Sequence, residues 1–162
     1  MVTIAVLSDT HGNLAAIEKA LPVLETCNYV FHLGDCASDM KGFKSIFGDR
    51  LITVRGNCDM TLGDRYKIVE IENKRLLITH GDMFGVKTSL NRLRVFAEDQ
   101  GVDAVFFGHT HTPFCKRAGG TLFVNPGAMS RMQPQKSFAY VTIADSKVNC
   151  SINYALLADM QY

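Results

Sequence analysis

Five short apolar runs constrain the fold of this chain of 162 residues more than any other feature. They are Ile4-Ala5-Val6-Leu7, Tyr29-Val30-Phe31-His32-Leu33, Leu51-Ile52-Thr53-Val54, Leu76-Leu77-Ile78-Thr79 and Ala104-Val105-Phe106-Phe107. Their apolar residues run on rather than alternating with polar ones. A strand of that kind is covered on both faces, so these segments belong inside a layered α/β structure. Each run also hands over, at its carboxyl end, to a side chain able to ligate a metal. Asp9 and His11 follow the first, Asp35 the second, Asn57 the third, His80 the fourth, and His109 and His111 the fifth. In an open α/β sheet, ligands gather in the crevice outside the carboxyl ends of the strands.

The intervening segments supply the rest of the architecture. Residues 3–8 form a buried strand, and Asn13 caps a helix carrying Leu14, Ile17, Leu21 and Leu24 at helical spacing, with a kink or break expected at Pro22. Strands at 29–33 and 51–54 flank a short helix at 39–47, the β-α-β-α-β rhythm of a parallel sheet. Residues 66–72 and 75–79 read as a hairpin about Asn73-Lys74, and a helix over 89–99 stops at Gly101. Beyond strand 104–107 the pattern is all β: 114–117, the Gly119-Gly120 turn, 122–124, 138–143 and 148–154. The expected fold is α/β, with two mixed sheets face to face and helices outside, as a single domain over residues 1–162. The length suffices for one domain with a real core.

Asp9, His11, Asp35, Asn57, His80, His109 and His111 offer imidazole, carboxylate and amide donors without a thiolate. Such a set suits divalent first-row metals, and not a structural zinc cluster. Seven ligands exceed the needs of one tetrahedral ion but fit two ions sharing a carboxylate, an arrangement that serves phosphoester hydrolysis. Taken singly, each residue is as readily a turn, a cap or a satisfied core group. Together they are not: successive positions lie 26, 22, 23 and 29 residues apart (Asp9, Asp35, Asn57, His80, His109), one supersecondary unit each time.

Net charge is +1, which leaves no electrostatic footprint for nucleic acid or a membrane surface. No apolar stretch approaches the roughly 20 residues of a membrane span, and the amino-terminal run is too short for a signal peptide. The five cysteines are odd in number and form no C-x-x-C pair, which favours a reducing, cytoplasmic setting.

Asp9-Thr10-His11, Gly34-Asp35, Gly56-Asn57, His80-Gly81 and Gly108-His109-Thr110-His111 resemble, in order, the motif set of the calcineurin-like metallophosphoesterases. The short length, Asn125-Pro126-Gly127 and the β-rich end are most similar to the small single-domain phosphodiesterase subgroup. The resemblance implies a four-layer α-β-β-α sandwich. It implies one ion on Asp9, His11, Asp35 and His111 and a second on Asp35, Asn57, His80 and His109, with Asp35 bridging. The activity implied is hydrolysis of a small phosphodiester by a metal-bridging hydroxide. Two divalent ions per chain are expected, manganese first, with nickel, iron or zinc as the other candidates. A retromer-subunit-like scaffold on the same fold is the competing reading, but a scaffold has no need of all seven ligands. A phosphomonoesterase or a nuclease is the competitor among enzymes, and a homo-oligomer is left open.

The chain departs from the wider family at Cys58, where many members carry a histidine that helps bind phosphate and is proposed to protonate the leaving group. A thiol is a weak, uncharged donor there. Asn13 is a candidate substrate contact, although capping is its expected role. His32 is expected to be structural, Cys36 to line the pocket or fill space, and Asn125-Pro126-Gly127 to turn tightly near the metals.

Overall fold

A computed structural model of the chain describes residues 1–60 and 63–154. In chain order its elements are β1 (Val2–Leu7), α1 (Leu14–Leu24), β2 (Tyr29–His32), α2 (Lys44–Phe47), β3 (Leu51–Thr53), β4 (Tyr66–Ile71), β5 (Lys74–Thr79), α3 (Asn91–Gln100), β6 (Ala104–Phe106), β7 (Phe114–Ala118), β8 (Thr121–Asn125), β9 (Phe138–Ala144) and β10 (Lys147–Asn153). Short 3-10 turns cover Ala37–Phe43, Gly48–Arg50 and Asp82–Phe84.

The strands form two mixed five-stranded sheets, ordered β10-β9-β1-β2-β3 and β4-β5-β6-β8-β7. In the first sheet β1, β2 and β3 run parallel, and in the second β5, β6 and β8 do. The uninterrupted apolar runs have the expected cause. On β1, Ile4 and Val6 enter the core between the sheets while Ala5 and Leu7 face α1. On β5 and β6, Leu76, Ile78, Ala104 and Phe106 join that same central core, while Leu77 and Val105 pack under Leu93 and Ala97 of α3. Side chains alternate along a strand, so a residue pair with both members buried requires a layer on each side. Three apolar layers between four structural ones make the α-β-β-α sandwich.

Local chemistry sets the element ends. Gly101 takes φ +59°, and the N–H groups of Gly101 and Val102 return to the carbonyls of Glu98 and Ala97, so α3 ends in a Schellman motif. The hairpin turn falls at Glu72-Asn73, both at positive φ, one residue earlier than Asn73-Lys74. Lys74 is a strand residue opposite Ile71, and its ammonium meets Asp103 at 2.8 Å. Pro22 lies within the final turn of α1, which runs through it to Leu24. Asn13 is not a side-chain cap: its Nδ2 donates to the Met129 carbonyl at 2.7 Å, drawing the first loop to the segment before β9. Leu14, expected on the apolar face, is 45% exposed.

Candidate metal centre

The carboxyl ends of β1, β2 and β3 in one sheet and of β5 and β6 in the other open on the same side of the sandwich. The loops there bend back sharply. Asp9, His11, Asp35, His109 and His111 all adopt left-handed backbone, with φ between 45° and 67°. That region is sparsely used by non-glycine residues and costs on the order of 1 kcal/mol or more each, so the surroundings must enforce it. Close packing of the loops is part of that enforcement. A Cβ on Gly56 would fall 2.2 Å from Asp35 Oδ1, and one on Gly108 would fall 2.1 Å from Ser8 Oγ.

Two groups of donor atoms result, each within 4.8 Å of one another: Asp9, His11, Asp35 and His111, and Asp35, His80 and His109. Asp35 belongs to both. Asn57 joins the second group, with its Oδ1 3.2 Å from His80 Nε2. All seven residues singled out in the sequence are thus brought to one crevice.

The donor set fits cations. His80 Nδ1 faces the Leu33 carbonyl at 3.0 Å, so it is the protonated nitrogen of the neutral ring and Nε2 carries the lone pair. Around that lone pair stand His109 Nδ1 at 3.1 Å, Asn57 Oδ1 at 3.2 Å and Asp35 Oδ1 at 3.4 Å. Imidazole, amide and carboxylate donors converging this closely suit a divalent cation. In the other group Asp9 Oδ1 sits 2.9 Å from His111 Nε2 and 3.8 Å from His11 Nε2. Both Asp9 Oδ1 and His11 Nε2 are nevertheless buried with no hydrogen bond of proper geometry. Orphaned buried acceptors call for a partner.

The charges lean the same way. Burial disfavours ionised Asp9 and Asp35, yet both carboxyls lie below the usual carboxylate range. At Asp9 the His111 ring 2.9 Å away, the charge of His80 and the Ser8 hydroxyl outweigh burial, as do His80 and the Cys58 N–H at Asp35. His80 is raised despite its own burial, because Asp35 and Asp9 favour a proton on it. His111 is raised by the Asp9 carboxylate 2.9 Å away.

Residues behind the donors hold them. Asp59 accepts the N–H groups of Asp35, Gly56 and Ala37 at 2.9, 2.7 and 3.0 Å. His32, fully buried, accepts the Gly34 N–H on Nδ1, so its Nε2–H donates to Thr10 Oγ1 at 3.1 Å. The Thr10 hydroxyl in turn donates to Asp39, which also accepts the Gly12 N–H. Asn125 donates to the Gly108 carbonyl and to Thr110 Oγ1 and receives the Gly127 N–H, shaping the loop of His109 and His111. Sequence reading missed Asp59, Asp39 and this role of Asn125, since their partners are distant in the chain. Cys58 is exposed, its N–H donating to Asp35 Oδ1 at 2.9 Å. Local burial and the adjacent Asp35 carboxylate push its thiol up to about 11, so it stays protonated at neutral pH.

Residues 2–146 match the model of the calcineurin-like phosphoesterase superfamily domain. A probable metallophosphoesterase of Methanocaldococcus jannaschii, MJ0623, is 30% identical over 148 residues, covering 88% of this chain and 76% of its own. The phosphodiesterase YfcE of Escherichia coli is 27% identical over 157 residues, 80% of each chain. The crystal structure of Vps29 from Entamoeba histolytica, complexed with zinc, superposes with a TM-score of 0.75 at 20% identity, covering 94% of this chain and 98% of that one.

Proposed function

Because the chain belongs to the calcineurin-like phosphoesterase superfamily, we propose that it is a dinuclear metal-dependent phosphodiesterase, acting as one domain over residues 1–162. The observation that carries this reading is the membership of Asp35 in both donor groups, which would make one carboxylate common to two ion sites. Asp9, His11, Asp35 and His111 would hold one divalent ion, and Asp35, Asn57, His80 and His109 the other. When bound, such ions bring the pKa of water near neutrality and neutralise charge on phosphoryl oxygens. Manganese is the first candidate, with nickel, iron and zinc behind it.

The chain's own residues then have distinct tasks. The Leu33 carbonyl fixes the His80 tautomer so that Nε2 faces inward. Asp59 holds the loops carrying Asp35 and Asn57 in register. Cys58, protonated and adjacent to Asp35, is a weak donor toward a departing oxygen. That suits a substrate whose leaving group departs as a stable anion, and a diester also brings less charge than a monoester. Asn13, anchored through its Nδ2 to the Met129 carbonyl, is a candidate substrate contact from the first loop. A small phosphodiester in a cytoplasmic setting is the expected substrate. Among the described residues no helix is long and apolar enough to cross a membrane.

The likeness to Vps29 favours a second reading, a protein-binding scaffold on the same fold. The two are separated by assaying metal-stripped protein, refilled with Mn, Ni, Zn, Mg or Fe, on a panel of phosphodiesters and monoesters. Metal-dependent turnover of diesters over monoesters is the expected result. No metal uptake from excess manganese would sink the enzyme reading and leave the scaffold.

A further inference from the structure

At the side of the sandwich away from β3 and β4, the last strands of the two sheets, β10 and β7, come within 8 Å of each other, Cα to Cα. Phe114 and Ala118 of β7 pack toward the layer under α3, so Cys115 and Arg117, at the alternate positions, point toward the other sheet. On β10, Val148 belongs to the core between the sheets, with Cys150 and Ile152 packed against it, so these three point toward β7. The Arg117 guanidinium donates across the gap to the Val148 carbonyl. Cys115 lies two residues before Arg117 on β7 and Cys150 two residues after Val148 on β10, on the faces that the two strands turn toward each other. The Cys115 thiol is near enough to bear on the charge of Cys150, with Cys115 exposed and Cys150 partly buried.

We propose that Cys115 and Cys150 are a modification site, a dithiol that a low-molecular-weight disulfide oxidises to an intramolecular bond stapling the free edges of the two sheets. The Cys115 thiolate, which solvent reaches, attacks one sulfur of the oxidant, breaking its S–S bond and releasing one thiolate. Cys150 passes its proton to that thiolate and attacks the Cys115 sulfur, expelling the second oxidant thiol. Two protein thiols are oxidised by two electrons, and one disulfide is reduced to two thiols. Burial and the neighbouring thiol hold Cys150 above the ordinary cysteine range, so the exposed partner is the one that meets the oxidant first. Cys27 is buried in the layer under α1, and Cys36 and Cys58 lie in the loops at the strand ends, so none of them faces this seam.

The test is oxidised glutathione added to the native, metal-loaded full chain, followed by alkylation of free thiols and peptide mapping. A mass loss of about 2 Da from an internal disulfide, mapped to the Cys115 and Cys150 peptides, is the expected result. Cys115→Ser should accept no bond at this seam, and Cys150→Ser should stop at the mixed disulfide on Cys115. The oxidised protein should melt at a higher temperature than the reduced one, and both serine variants should lose that rise. A glutathione adduct that persists on Cys115 of the unmutated chain would overturn the proposal, because the second thiol would then be out of reach. A bond mapped to any other pair would overturn it equally.

Discussion

The carboxylate of Asp59 accepts the backbone N–H of Asp35 at 2.9 Å and ties that residue to Gly56 and Ala37. Asp59 is therefore the clasp between the loops after β2 and β3. Asp59→Ala leaves three N–H groups without their acceptor, a loss of roughly 1–3 kcal/mol where they are shielded from water. Metal affinity should fall by about 10- to 100-fold, as for other supports of ligating side chains. Thermal melting and a manganese titration of the variant check both. Wild-type affinity in Asp59→Ala would show that the loops hold themselves.

Asp35→Asn removes the shared carboxylate. Turnover should fall by several orders of magnitude, more than for His11→Ala or His109→Ala, each of which touches one ion site. The fold should survive, because Asp35 lies on the crevice and outside the three apolar layers. Steady-state kinetics with saturating metal decides it. Retention of more than about a tenth of turnover, a loss under ~1.4 kcal/mol, would mean that Asp35 is not common to both sites.

Metal uptake should be acid-sensitive in a definite direction. The adjacent Asp9 carboxylate raises His111, and at His80 the nearby carboxylates overcome burial to do the same. A raised pKa means that the metal-free ring keeps its proton to higher pH, above the ordinary histidine value of about 6.5. An incoming ion must displace that proton, so affinity should drop as pH falls through these raised values, by up to about tenfold per unit for each proton displaced. Calorimetry in buffers of different ionisation enthalpy should record proton release on metal binding near neutral pH. Binding with no proton release would contradict the assignment of these rings.

Cys58 should set the choice of leaving group. An aryl oxide departs unprotonated, whereas an alkyl oxide needs an acid that typically contributes about 10²–10⁴-fold. Aryl diesters should be good substrates and alkyl or nucleoside 2′,3′-cyclic ones poor. Cys58→His should gain selectively on the poor ones, and Cys58→Ala should barely change aryl-diester turnover. Damage from Cys58→Ala as large as that from losing a metal ligand would instead give the thiol a direct part in the chemistry.

His32 should make the fold acid-labile. Its burial lowers the ring to about 4 from an ordinary 6.5, so the folded ring is neutral where the unfolded one takes a proton. The unfolded chain therefore binds more protons between those values, and stability must decline as pH falls from about 6.5 to 4, by about 3 kcal/mol in all. His32→Asn, whose Oδ1 still accepts the Gly34 N–H, should flatten that part of the pH dependence of the denaturation midpoint. Parallel curves for the two proteins would remove His32 as the cause.

What was legible in the chain was whatever a short window carries. The apolar runs announced strands buried on both faces, and the residue after each run announced a crevice. The supports were not legible because they bridge distant segments. Asn13 looked like a cap but donates to Met129, 116 residues away. Asp59 carries no mark in a short window, since its carboxylate joins the loops after β2 and β3. The hairpin at Glu72-Asn73 was misplaced by one residue because Lys74, a plausible turn residue by itself, is drawn into β5 by Asp103. The left-handed backbone at Asp9, His11, Asp35, His109 and His111 left no mark at all, since it belongs to loops packed closely about Gly56 and Gly108.

Neither donor group is drawn from one sheet alone. Asp9, His11, Asp35 and Asn57 ride on the first sheet, and His80, His109 and His111 on the second. Ions held there would act as bolts through two plates, resisting shear at the end of the sandwich where these loops meet. Emptying the bolt holes would leave like-charged carboxylates and opposed lone pairs to push the plates apart. Catalytic competence and mechanical closure would then be gained and lost together, and the metal supply would govern how long this protein survives as well as how fast it works.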